Sequence, residues 1–303
     1  MADIESIKAR LSNIRTVEPI LSSFRTISLG SWRAALNQKR ALDAYAAHLK
    51  QLLPLIVPYL ETEKRGLFRG FKRRGQGELP VAGRVAVLVV GSERGLCGHF
   101  NAAVVERAKQ YLEGTQEDGR RVDLMVLGSR IERFLARGGY EIAWAGAMPS
   151  TALPSLSLAM DLMQRWLTRY EVGELDRVDL IYNAYRGLGA YETTVLRLLP
   201  PDVPLAADAQ DEKLTVPTIV ETDPASLYGH LVEQWAVLSL HALLLDSAAA
   251  EHATRYQLME GATQNSERLI EELKLELQSM RRRAITQEMQ ELAVGAGLLS
   301  HDG

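Results

Sequence analysis

Residues 224–299 read PASLYGHLVEQWAVLSLHALLLDSAAAEHATRYQLMEGATQNSERLIEELKLELQSMRRRAITQEMQELAVGAGLL, and this stretch decides the fold. No proline follows Pro224, and Gly229 and Gly261 are the only glycines before the tail at Gly295 and Gly297. Apolar or small residues recur at alternating spacings of four and three: Leu231, Trp235, Leu238, Ala242, Leu245 and Ala249, then Ile270, Leu273, Leu277, Met280 and Ala284. That is a heptad-like seam on one continuous helix, of the kind that lies along a partner helix. At ~1.5 Å per residue such a helix spans on the order of 105–115 Å, longer than a globular domain is wide. It needs a partner.

Residues 3–57 supply one. Ile4, Ile7, Leu11 and Ile14 keep three-four spacing, and Leu21, Phe24, Ile27, Leu36, Leu42, Leu49 and Leu52 continue an apolar face. Pro54 and Pro58 predict the stop. Pro19 costs about 3 kcal/mol inside a helix, so the sequence predicts a bend at 15–19 or an irregular N-terminal arm. Gly30 adds about 1 kcal/mol. Antiparallel pairing of coiled-coil helices at 1–60 and 224–303 would close each seam on the other. An ordinary helical bundle would need further helices of similar length, and the middle of the chain does not supply them.

The middle changes period. VAVLVV (85–90) is a short continuous apolar run, as for a strand buried on both faces. A helix at 101–112, a strand at 122–128, a helix at 129–137, a strand at 140–145, a helix at 153–170 and a strand at 177–185 follow. YETTVLRLL (191–199) reads as a returning antiparallel strand. The fold class is therefore α/β plus a long antiparallel coiled coil, with a mostly parallel sheet in a domain at 83–205. A linker at 61–82 carries Lys64, Arg65, Arg69, Lys72, Arg73 and Arg74, and reads as a solvated loop or, alternatively, as a contact for an acidic protein or phospholipid surface. An extended, proline-rich and acidic return at 206–223 leads into the last helix.

Composition narrows the function. With 303 residues, 47% hydrophobic and 24% charged, the chain can bury a core. A net charge of -3 speaks against a general nucleic-acid binder. The single Cys97 fits a reducing compartment. No run approaches the roughly 20 apolar residues of a membrane span, and MADIESIKARL has no apolar signal region. These features predict a soluble, cytosolic-type protein.

The chemistry-bearing candidates are few. The turn GSERGLCGHFN (91–101) invites a phosphate-loop reading but has neither GxxxxGK[ST] nor GxGxxG, so its glycines read as a tight strand-to-helix turn. Cys97 has no spaced His–Asn or His–Asp partners. The histidines at 48, 99, 230, 241, 252 and 301 are scattered, and His241 and His252 are eleven apart rather than the four that would share a metal. No carboxylate reads as isolated in an apolar run, so no acid–base pair stands out. The sequence predicts no cofactor, no metal and no catalytic residue. MRRRAITQEMQEL (280–292) differs: three arginines and a polar Thr286-Gln287-Glu288 sit beside Ala284, Ile285, Met289 and Leu292, which suits a helix tip held in a protein socket.

These segments resemble the gamma subunit of F-type ATP synthases. ERGLCGHFN (93–101) is similar to the family's DRGLCGGLN, MRRRAITQEMQEL to its ARQASITQELTEI, and IKARLSNIRT (7–16) to the start of its first helix. YNAYRGLGAYETTVLRLLP (182–200) agrees more weakly. The resemblance implies a non-catalytic central-stalk rotor shaft. Its partners would be the alpha and beta subunits of an alpha3-beta3 hexamer, the epsilon subunit and the c-ring, with no nucleic acid. It would be peripheral to the cytoplasmic face of a bacterial inner membrane and serve ATP synthesis or hydrolysis with ion transport. It implies that Arg94, Gly95, Leu96, Cys97 and Gly98 face the beta lever region. Arg281, Arg282, Thr286, Gln287 and Glu288 would face the beta catch loops. Tyr182, Asn183, Tyr185, Arg186 and Tyr191 would lie toward the c-ring or epsilon.

The sequence also departs from the family pattern. Pro19 and Ser22 stand where lysines stand in the family, Phe24 where methionine stands, Arg282 for a glutamine and His99 for a glycine. The chain thus reads as a divergent member or a paralogue. The alternatives are a gamma-like adaptor whose complex does not rotate, and a stand-alone α/β nucleotide-binding domain with a helical dimerisation arm.

Overall fold

The computed structural model describes residues 2–60, 83–149, 152–200 and 221–295. The basic linker expected at 61–82 and most of the return expected at 206–223 lie outside the described residues. The first long pattern is one helix, α1 (Ala2–Ile56), followed by a 3-10 turn at Val57–Tyr59. It runs unbroken through Pro19, so an irregular arm does not form. Pro19 and Arg15, whose carbonyl loses its helical donor, are both exposed, and water can replace that bond. The helix also passes Pro54 and ends at Ile56, two residues before Pro58.

The middle is an α/β body: β1 (Arg84–Val90), α2 (Phe100–Glu117), β2 (Arg121–Leu127), α3 (Ser129–Arg137), β3 (Trp144–Gly146), α4 (Leu156–Glu171), β4 (Arg177–Gly187) and β5 (Ala190–Leu199). The sheet order is β3-β2-β1-β4-β5. β1 pairs in parallel with β2 and β4, β2 with β3, and β5 returns antiparallel along β4. The strand expected at 140–145 is shorter and later, because only Trp144–Gly146 pair with Met125–Leu127. Tyr140 and Ile142 pack instead as partly buried loop residues under the sheet.

The apolar run in β1 follows from its place. Ala86, Leu88 and Val90 face α4 (Ala159, Leu162, Met163, Trp166), while Val85, Val87 and Val89 face α2 (Val104, Ala108, Leu112) and α3 (Ile131, Leu135). Both faces are covered, so alternation still sorts the side chains but leaves none outside. The final helix, α5, spans Pro224–Gly295. None of the described helices is long and apolar enough to cross a membrane.

The chain divides into two compact units, Ser28–Arg255 and Met1–Ile27 with Tyr256–Gly303. In the first, α5 has two working faces. Ala236, Leu240 and Leu244 pack on the sheet, a contact the heptad seam did not reveal. Tyr228 and Val232 meet Leu53, Ile56, Val57 and Leu60, the end of the first helical segment. In the second, Leu273 and Leu277 bury against Ile7 and Leu11, with Ile4, Ile14, Ile270 and Met280 at the margins. Arg25 adds an ion pair to Glu260 at 3.2 Å. In both units residue numbers rise along α1 as they fall along α5, which is the antiparallel pairing the seams predicted. Ala284, the last seam position, is exposed.

Candidate functional site

The loop between β1 and α2 is built by its own polar groups. Ser92 N donates to Asn101 Oδ1 at 3.0 Å, and Asn101 Nδ2 returns a bond to Ser92 Oγ at 2.7 Å. Ser92 Oγ also donates to Arg94 O at 2.6 Å. This folds the loop over Cys97, whose Sγ lies 3.4 Å from Asn101 Nδ2. Cys97 is buried, and burial pushes its thiol up from the ordinary value. Leu96 takes a left-handed φ of 64° and projects outward at 56% exposure. Arg94, Gly98 and His99 are exposed as well.

Glu93 does the work a bound anion would do in many parallel α/β folds. Its Oε2 accepts from the backbone N–H of Ser129, first residue of α3, and of Met148, each at 3.1 Å. Burial opposes its charge, but these hydrogen bonds, with Arg133 nearby, hold the carboxyl below its usual range. Gly128 before it sits at φ 105°, and a Cβ there would fall 2.7 Å from Gly91 O. The carboxyl end of the sheet is therefore drawn tight and capped from within.

The hairpin of β4 and β5 stands beside this loop. Cys97, Phe100 and Ala250 of α5 form one small cluster, with Tyr185 and Tyr191 packed on it. The Phe100 and Tyr191 rings meet edge to face at 5.4 Å. Asn183, buried, donates to Phe100 O at 2.8 Å and accepts from Thr193 Oγ1 at 2.7 Å. Asp246 of α5 accepts from Tyr185 N at 3.2 Å and has Lys39 of α1 at 3.9 Å. Burial raises the Asp246 pKa, with Lys39 and the Tyr185 bond pulling the other way. Tyr182 is buried, and burial pushes its hydroxyl to about 12. Arg186, paired with Glu192 at 2.8 Å, is exposed.

The structure thus brings together the two segments 94–98 and 182–191. Arg281, Arg282, Thr286, Gln287 and Glu288 belong to the other unit, all exposed on the last turns of α5. Ile285, Met289 and Leu292 are exposed beside them. Among the described residues no group of three or more His, Cys, Asp or Glu side chains is placed to hold a metal.

Sequence reasoning missed a charged cluster on α5. Arg255 Nε donates to Gly95 O at 3.3 Å, and Nη2 reaches the same carbonyl at 3.4 Å and the Glu251 carboxylate. Arg255 Nη1 donates to His252 Nδ1 at 3.2 Å, which makes that imidazole a neutral acceptor. All three side chains are buried. Burial raises the Glu251 pKa against the pull of Arg255. Burial, then Arg255, lowers His252 to about 4. The expectation that no carboxylate is isolated in an apolar run fails here: Asp246 and Glu251 flank the small-residue run SAAA and are both buried. An i,i+4 Glu–Arg pair inside such a run was the available signal.

A family model described as ATP synthase matches residues 3–299. The ATP synthase gamma chain of Chlorobium phaeobacteroides (strain BS1) is 28% identical, over 99% of both chains. That of Geotalea daltonii (strain DSM 22248 / JCM 15807 / FRC-32) is 29% identical over 98% of both. A chain of the Euglena gracilis mitochondrial ATP synthase (OSCP/F1/c-ring, rotational state 3) superposes with a TM-score of 0.60 at 14% identity, covering 99% of this chain and 97% of that one, a likeness of fold. Matched over both long helices and the α/β body between them, the chain belongs to the ATP synthase gamma family.

Proposed function

We propose that this chain is the central-stalk gamma subunit of an F-type ATP synthase or ATPase. It couples rotation to conformational change in the catalytic beta subunits of an alpha3-beta3 hexamer. The observation that carries this reading is the family match across residues 3–299, which takes in every described element but the first residue of α1. The chain itself catalyses nothing; its asymmetry makes different contacts with each beta subunit, and differential contacts bias discrete states.

In this reading the exposed Arg281, Arg282, Thr286, Gln287 and Glu288 meet the beta catch loops, and Ile285, Met289 and Leu292 supply the apolar part of that contact. Arg94, Leu96 and Gly98 are the outward members of the loop that faces the beta lever region. Gly95 and Cys97 shape it from inside. Arg186 and the edges of Tyr185 and Tyr191 lie toward the c-ring or epsilon, on a strand whose buried Tyr182 and Asn183 fix its position. The assembly holds the chain peripherally at the cytoplasmic face of a bacterial inner membrane, and its rotation serves proton or sodium transport.

Co-expression with alpha and beta subunits tests this. The expected result is an alpha3-beta3 complex containing one copy of this chain, with ATP-driven rotation of a probe attached to it. A chain that elutes as a nucleotide-binding homodimer, with no hexamer attached, overturns the reading.

A further inference from the structure

The loop 92–99 has no strand or helix ladder to hold it, and it includes left-handed residues at Leu96 (φ 64°) and Gly98 (φ 58°). Ser92 Oγ and Ser129 Oγ hold the carbonyls of Arg94 and Glu93, and what ties the Gly95 carbonyl to α5 is Arg255, a residue 160 positions away in sequence and only 5% exposed. The guanidinium forks onto Gly95 O through Nε and Nη2 and reaches Arg94 O at 3.5 Å. Its remaining donors go to Glu251 and His252, one turn back on α5. Glu251 supplies the countercharge, and His252 offers a lone pair that fixes the plane of the fork.

We propose that Arg255, oriented by Glu251 and His252, is a latch that fastens the 93–98 loop to α5 and so fixes the outward display of Arg94 and Leu96. Arg255 is a positioning residue: it is buried, bonds to Gly95, Glu251 and His252, and acts through the loop it holds. The role calls for arginine. A planar fork bonds a carbonyl through two nitrogens while keeping donors for two further partners, and a lysine ammonium cannot span that set. The latch deepens the gamma reading, because it makes the loop proposed to face beta move with the long helix rather than independently of it.

Cys97 provides a built-in reporter. It is the only cysteine, and the loop closes over it, with Ser92 Oγ at 3.6 Å from Sγ. Reaction of the full-length chain with an aromatic disulfide reagent therefore reads loop opening directly. In Arg255→Ala the labelling rate should rise at least about tenfold and stay nearly independent of low urea, as local opening does, with circular dichroism unchanged. Arg255→Lys should restore part of the protection. Labelling of Arg255→Ala within about twofold of the parent, or an acceleration that only tracks urea, overturns the latch. If Arg255→Ala does not fold, Glu251→Gln serves in its place: faster amide exchange at Leu96–Gly98 supports the latch, and unchanged exchange there overturns it. The assay uses the chain alone, so its failure leaves the gamma reading intact, and failure to assemble with alpha and beta leaves the latch intact.

Discussion

Two stretches of one helix obey opposite rules. Between Ala236 and Arg255, α5 is buried on nearly every side, and Asp246, Glu251, His252 and Arg255 are buried with it. From Arg281 to Leu292 every residue is exposed, including Ile285 at 57%, Met289 at 66% and Leu292 at 67%. Charge goes inside in the first stretch and large apolar groups stay outside in the second. Polarity therefore does not set burial in this helix; neighbours do. In the middle each buried charge has a named partner within the chain, as burial requires. At the end, apolar groups interleaved with arginines stay exposed among the described residues, as the partner contact proposed above requires.

The sharpest way to break that comparison is truncation in the middle. Leu240 is fully buried between the sheet and its own helix. Leu240→Ala removes its packing and leaves a cavity, and should cost about 2–5 kcal/mol in urea denaturation of the isolated chain. A loss under about 1 kcal/mol would mean that the sheet-facing side of α5 is loosely packed.

Acid tests the charged part of the middle. His252 is held neutral, its pKa lowered from 6.5 to about 4, by burial first and Arg255 second. Between those values the unfolded chain takes a proton that the folded chain refuses, so stability falls as pH drops through the window. The full difference amounts to about 3 kcal/mol, and below the lower value no further loss comes from this group. The carboxyls of Asp246 and Glu251 have raised pKa values and act with the opposite sign, since the folded form keeps their protons to higher pH. The measurement is therefore the difference between the parent and His252→Gln, followed from neutral pH to about 4. Glutamine keeps an acceptor for Arg255 but does not titrate. A flat difference curve would show that His252 is solvated enough to protonate in place.

Glycine separates the loop from the helix. At Gly128 the backbone is left-handed and an added Cβ meets the carbonyls of Gly91 and Ser92 at 2.7 and 2.9 Å. Gly128→Ala should destabilise by roughly 1–3 kcal/mol. At Gly261, helical and with nothing within 4 Å of a built Cβ, the same change should stabilise by up to about 1 kcal/mol. Opposite signs in one denaturation series would confirm that the carboxyl end of the sheet is closed by backbone contact.

How much of this was legible depended on period and on range. The seam at Leu273 and Leu277 and its partners Ile7 and Leu11 follow from spacing alone, because heptad contacts repeat locally. The sheet-facing row Ala236, Leu240 and Leu244 did not, since a helix buried on two sides has no single apolar stripe to detect. The third strand was misplaced because an alternating pattern marks extended chain without saying how much of it finds a partner. ERGLCG was readable as a turn. The arginine that fastens it was not, because an i,i+4 Glu251–Arg255 pair looks the same in sequence whether it faces water or a loop from far along the chain.

The smallest effect should come from the exposed end, and it is the one that most sharpens the contrast. Ile285→Ala and Leu292→Ala remove side chains already mostly in water, so neither transfer energy nor a cavity is at stake. Each should change the stability of the isolated chain by less than about 0.5 kcal/mol. The same two truncations should weaken association with the alpha3-beta3 hexamer, because that is where the reading proposed above places their burial. The pair of measurements decides between two meanings of an exposed apolar group. Stability and association both unchanged would make these residues ordinary surface, and the helix end would then owe any partner contact to Arg281, Arg282, Thr286, Gln287 and Glu288 alone. Stability unchanged with association lost would show that the end of α5 carries apolar groups for a surface the chain does not itself possess.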